Sequence, residues 1–118
     1  MPQRDPSIPL GHMLDAIKGI ESATSDIDFE TYCSTWIIKH AVQRGIEIIS
    51  EASRHLPSEL TSQQPDIPWP KVRSIGNILR HEYHNIEDEV IWKLVQNDLA
   101  PLRDAVQTLL EELDENSA

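Results

Sequence analysis

The stretch Trp69-Pro70-Lys71-Val72-Arg73-Ser74-Ile75-Gly76-Asn77-Ile78-Leu79-Arg80-His81-Glu82-Tyr83-His84-Asn85-Ile86 decides how the rest of the chain is read. At about 100° per residue, Val72, Ile75, Leu79, Tyr83 and Ile86 fall within one narrow arc, with Gly76 at its edge. That spacing predicts a helix from Trp69 to about His84, with its apolar side in a core. Pro70 fits the first turn, where its missing N–H has no helical partner to lose. A second arc collects Arg73, Asn77, Arg80, His81 and His84.

Working outward, the same helical period recurs. Leu10, Met13, Leu14, Ile17 and Ile20 mark a first helix that opens near Pro9 and fades near Thr24. Ser25 and Asp28 offer capping groups for a second helix from Phe29 to about Leu56, a span without proline. Gly45 inside it costs about 1 kcal/mol relative to alanine unless close packing needs the missing side chain. Pro57 to Pro68, with three prolines, is a loop. Glu87 to Gln96 is a fourth helix, and Leu102, Val106, Leu109, Leu110 and Leu113 give a last helix its buried stripe. With only four glycines and few alternating runs, the expected class is all-α, an antiparallel four- to five-helix bundle in a single domain over residues 1–118.

Composition narrows the function. A chain of 118 residues forms one compact domain, and 39% apolar residues suffice for its core. Its formal charge of -10 disfavours coating a polyanion through the general field. The segment from Ile67 to Ile86, however, carries +2 and leaves -12 on the remainder. Positive charge is therefore concentrated where the histidines are. One cysteine, Cys33, excludes an internal disulfide and reads as a small buried hydrophobe in a reducing, cytoplasmic setting. No apolar run approaches the ~20 residues of a membrane helix.

A polar helix face most often only meets water. The arc of Arg73, Asn77, Arg80 and His81 nonetheless holds complementary parts. Imidazole can exchange a proton near neutral pH, and guanidinium can hold a phosphate and stabilise charge developing on it. An amide can orient either one. Those are the parts for cleaving a phosphodiester in RNA, where the 2′-hydroxyl supplies the nucleophile. The set His81, His84 and Asp88 or Glu87 has spacing for a metal, but with no HExxH pattern the expectation is none. No cofactor is expected. Trp36, Trp69 and Trp92 read as core or interface residues.

Asn77-Ile78-Leu79-Arg80-His81-Glu82-Tyr83, followed by Ile86, Val90-Ile91-Trp92 and Asn97-Asp98-Leu99-Ala100-Pro101-Leu102, resembles the HepT-like proteins, toxins of the HEPN superfamily. The run from Ala41 to Ala52 is similar to that family's second helix. The resemblance implies a small helical bundle that forms a homodimer, with the Arg-x4-His-x-Tyr segments of both protomers facing one cleft. It implies an RNA-cleaving toxin neutralised by MntA, a minimal nucleotidyltransferase antitoxin that transfers AMP to the motif tyrosine. On matching positions His81 is the catalytic histidine, Asn77 the neighbouring polar residue and Tyr83 the AMP acceptor. The family's arginine falls on Gly76. Arg80 and Arg73 are the candidate replacements, and the alternative is an inactive HEPN module that binds a nucleotidyltransferase or a nucleotide. Gly76 is also placed to allow close helix approach, a purely structural role.

Overall fold

The computed structural model describes residues 5–82 and 87–117, without the side chains of Glu82, Asn116 and Ser117. Every regular element in them is helical: α1 (Ser7–Thr24), α2 (Phe29–Ser34), α3 (Trp36–Ser53), α4 (Ser58–Thr61), α5 (Trp69–Glu82), α6 (Asp88–Asn97) and α7 (Leu99–Ser117). Five of these are long and two are short, so the expected all-α bundle holds. The central helix α3 packs against α1 on one side and α5 on the other, while α7 closes over α1 and α6. Leu10, Met13, Ile17, Val42, Val106 and Leu109 are fully buried where α1, α3 and α7 meet.

The expected second helix is not continuous. It breaks at Thr35, whose backbone is extended at φ -110° and ψ 97°. The cause is local: the Thr35 hydroxyl donates to the Thr31 carbonyl at 2.7 Å, and the Ser34 hydroxyl donates to the same oxygen at 3.2 Å. Side chains thus take a carbonyl that a continuing helix would use. At the other end of α2, the Thr31 N–H donates to Asp28 Oδ1 at 2.8 Å, so Asp28 rather than Ser25 is the cap. That bond holds the Asp28 carboxyl below the usual carboxylate range. The loop after Pro57 contains the single turn α4, and α1 begins at Ser7, which leaves Pro9 in its first turn.

Two glycines set the helix spacing. A Cβ on Gly45 would lie 2.7 Å from Ile20 Cδ1, so α1 and α3 approach as closely as they do because that position has no side chain. A Cβ on Gly76 would lie 2.7 Å from both Cβ and Oγ of Ser50, which fixes the crossing of α3 and α5.

The tryptophans divide. Trp69 is buried and its indole N–H donates to the Gln64 carbonyl at 3.0 Å. Trp92 is half-buried, with its ring centroid 5.3 Å from Tyr32 and 6.1 Å from Phe29. Trp36 is 70% exposed, so it is not a core residue, and Ile37 beside it is 72% exposed. Cys33 is half-buried rather than buried.

Candidate functional site

Helix α5 presents the expected two faces. Leu79 and Gly76 are buried and Val72 and Ile75 half-buried, whereas Asn77, Arg80 and His81 are exposed. Arg80 and His81 occupy the last turn, where free carbonyls and the helix dipole favour positive charge. Asn77 lies four residues before His81, directly beneath it on the helix surface. Arg73 shares a stripe with Arg80 but sits closer to α3 and is half-buried. Tyr83, His84 and Ile86 lie outside the described residues.

The backbone beneath this face is anchored to α3. The Ser50 hydroxyl donates to the Arg73 carbonyl at 2.8 Å and accepts from the Gly76 N–H at 3.0 Å. Arg54 Nε donates to the same carbonyl at 3.0 Å. Ser50 is fully buried, its bond with the Gly76 N–H lies in the interior and the one to the Arg73 carbonyl is part-buried, and together they hold α5 in register. Position 76 is therefore filled from across the crossing. Its neighbour is a serine on α3, and no outward-facing side chain can start from it without displacing that serine.

His81, Arg80 and Asn77 line neither of two concavities among the described residues. One, of about 220 Å³, is apolar and runs between α3, α5 and the α6–α7 junction, with Lys71 and Asp98 3.9 Å apart at its rim. The other, of about 340 Å³, lies between α1 and α3 beside His12 and His55. The α5 site is instead an open surface in one chain. The sequence reading missed the first cavity, because it is built from residues of three separate stretches of the chain.

Cys33 does not compete for a catalytic role. Desolvation first, and then the nearby Asp88 carboxylate, push its thiol up, the opposite of what a nucleophilic cysteine needs. Among the described residues no group of three or more His, Cys, Asp or Glu side chains is placed to hold a metal. His84, which completes the candidate metal set, lies outside them. No described helix is long and apolar enough to cross a membrane.

The family model for HepT-like ribonucleases matches residues 13–109, most of the chain and every element from within α1 to within α7. The chain belongs to the HepT-like ribonuclease family. A Methanocaldococcus jannaschii protein with the inferred name RNase MJ1380 is 32% identical over 107 residues, covering 91% of this chain and 98% of that protein. A second protein of that organism, with the inferred name RNase MJ0127, is 31% identical over 121 residues and covers 99% of each chain. A Thermococcus cleftensis protein named, also by inference, ribonuclease HepT is 33% identical over 100 residues, 85% of this chain and 91% of that one. No solved structure matches the chain. Within the matched span, His81, the expected motif histidine, is exposed at the end of α5, and Gly76, the position expected to carry the motif arginine, is buried.

Proposed function

We propose that this HepT-like protein is the toxin of a toxin–antitoxin pair, a metal-independent RNA endonuclease that works in the cytoplasm as a homodimer. The observation that carries the reading is the placement of His81, Arg80 and Asn77 together on the exposed C-terminal face of α5, within the span that matches the family.

The chemistry follows from those groups. The RNA 2′-hydroxyl attacks the adjacent phosphorus, the bond to the 5′-oxygen breaks, and a 2′,3′-cyclic phosphate and a 5′-hydroxyl result. One proton leaves the attacking oxygen and one reaches the departing oxygen. His81 is the group that moves protons. Arg80, its immediate neighbour, stabilises the charge gathering on the phosphate oxygens, with Arg73 behind it on the same stripe. Asn77 orients the imidazole or the ligand from one turn below.

A dimer supplies what one chain lacks. His81 lies on an open surface, and Ile78, 40% exposed on the same side of α5, offers an apolar contact for a second copy. Two such faces brought together enclose the phosphate and provide two imidazoles, one to accept a proton and one to donate it. The antitoxin in this reading is an MntA-like minimal nucleotidyltransferase, and Tyr83 is the residue it modifies with AMP.

Purified protein is expected to cleave single-stranded RNA at an unchanged rate in excess chelator. Arg80→Ala is expected to slow it by about a hundredfold, the scale for removing one charge-stabilising donor. Activity that vanishes with chelator and returns with a divalent ion would overturn the metal-independent step. A second reading rests on Gly76: with no guanidinium at the motif position, the chain is a binding module that docks on a nucleotidyltransferase or holds a nucleotide. Nucleotide or partner binding without any RNA cleavage would select it.

A further inference from the structure

Trp36 is 70% exposed, an unusual position for the largest apolar side chain, and nothing in the cleavage chemistry uses it. It is also held in place. The His40 ring stacks on it with centroids 4.0 Å apart and planes 29° apart. His40 Nδ1 lies 2.8 Å from the Trp36 carbonyl, which can only accept, so Nδ1 carries the proton in that bond. One face of the indole is thus backed by a fixed imidazole while the ring remains open to solvent.

The location of this pair is set by the α3–α5 crossing. Ser50 bonds at Arg73 and Gly76, and Arg54 bonds at Arg73, so the two helices run antiparallel. Moving from Ser50 toward the start of α3 is therefore moving toward the end of α5. At 1.5 Å per residue His40 lies about 15 Å along from the crossing and Trp36 about 21 Å, against roughly 7 Å for His81. The pair sits some 8–14 Å beyond the imidazole along the same direction, a distance that a short run of nucleotides spans. Arg44, one turn from His40 toward the crossing, has a 65% exposed side chain and stands about 9 Å along α3 from the crossing, against about 6 Å along α5 for Arg80. Its partner is Glu47 at 3.2 Å, while Lys39 is taken up by Asp88 at 3.0 Å.

We propose that Trp36, backed by His40, is a stacking platform for an unpaired nucleobase of the RNA, with Arg44 and Arg80 holding the phosphates between that base and His81. This rests on the ribonuclease reading and adds to it a subsite outside the cleavage chemistry. A flat exposed ring two turns along α3 from an exposed guanidinium, on a chain that is otherwise strongly acidic, suits a polyanion carrying π-faces. Stacking is indifferent to base identity, so the subsite selects unpaired over duplex RNA rather than one sequence.

The test measures binding of a short single-stranded RNA to His81→Ala protein, in which cleavage is expected to be slowed by about two to four orders of magnitude. Trp69 is buried and Trp92 packed against Tyr32 and Phe29, so quenching of the exposed indole reports on Trp36. Quenching should saturate with single-stranded RNA, be absent with a duplex of the same sequence, and be lost in Trp36→Phe. Trp36→Ala should weaken binding by about five- to a hundredfold, and Trp36→Phe should restore most of it. In the cleaving protein Trp36→Ala should raise KM and leave kcat within about twofold. RNA that fails to bind, binds Trp36→Ala as tightly as the parent, or leaves the emission unchanged overturns the platform. So does a Trp36→Ala protein that sediments as a monomer where the parent is a dimer, since Trp36 would then be a contact between copies. A His81→Ala protein that still cleaves RNA would remove the catalytic assignment alone and leave this binding result standing.

Discussion

Replacing His81 with alanine is expected to lower RNA cleavage by about two to four orders of magnitude, the range for removing a positioned proton-transfer group. The fold should not change. His81 is exposed in the last turn of α5, and substitutions at such positions alter stability by about 0.5 kcal/mol or less. The melting temperature of the variant should therefore match the parent within a degree or two, which separates a chemical loss from unfolding. The measurement is an initial rate on a labelled single-stranded RNA with chelator present, beside a thermal melt followed by helix signal. If the variant keeps more than about a tenth of the activity, proton transfer is carried elsewhere. The exposed face of α5 would then serve only to bind. Asn77→Ala, one turn below, should cost less, because that side chain orients and does not exchange a proton.

How much of this was legible beforehand differs by residue, for physical reasons. The helical period of Val72, Ile75 and Leu79 is a property of one segment, so the inward face of α5 and the outward positions of Asn77, Arg80 and His81 could be read directly. The break at Thr35 depends on two hydroxyls choosing the Thr31 carbonyl over water. Apolar periodicity does not register that choice, and a single helix from Phe29 was expected instead. Trp36 shows the limit of treating hydrophobicity as burial: its ring is large, yet its position on α3 faces neither α1 nor the interior. The role of Gly76 was written in two places. The absence of a side chain at 76 is visible alone, but its cause, Ser50, lies 26 residues earlier and comes into contact only when α3 crosses α5. Tyr83, the expected AMP acceptor, lies outside the described residues.

That crossing yields the other large effect. Gly76→Arg puts an arginine where the resemblance expects one, but it is expected to destabilise the protein by about 3 kcal/mol or more instead of activating it. The first atom of any side chain at 76 would stand 2.7 Å from Ser50 Cβ and Oγ. Helix α3 would have to move, and the Ser50 bonds to the Gly76 N–H and the Arg73 carbonyl would be lost with it. Overpacking of this kind costs about 1–3 kcal/mol, and starting a guanidinium from a buried position adds to that. For a domain of this size the melting temperature should fall by roughly 10 °C or more. Gly76→Ala isolates the steric part, since it adds only the Cβ. Ser50→Gly removes both atoms that the new Cβ would meet, so the Ser50→Gly, Gly76→Ala double variant should be more stable than the sum of its single variants implies. A coupling of about 1 kcal/mol or more in that cycle would establish the contact. Ser50 and Gly76 thus act as one unit: with the serine in place an arginine at 76 has no room, and Arg80 is left as the guanidinium nearest His81 in sequence. A Gly76→Arg protein that kept its melting temperature and cleaved RNA faster would mean that α3 yields at this contact, and that Arg80 had not taken over the arginine's part.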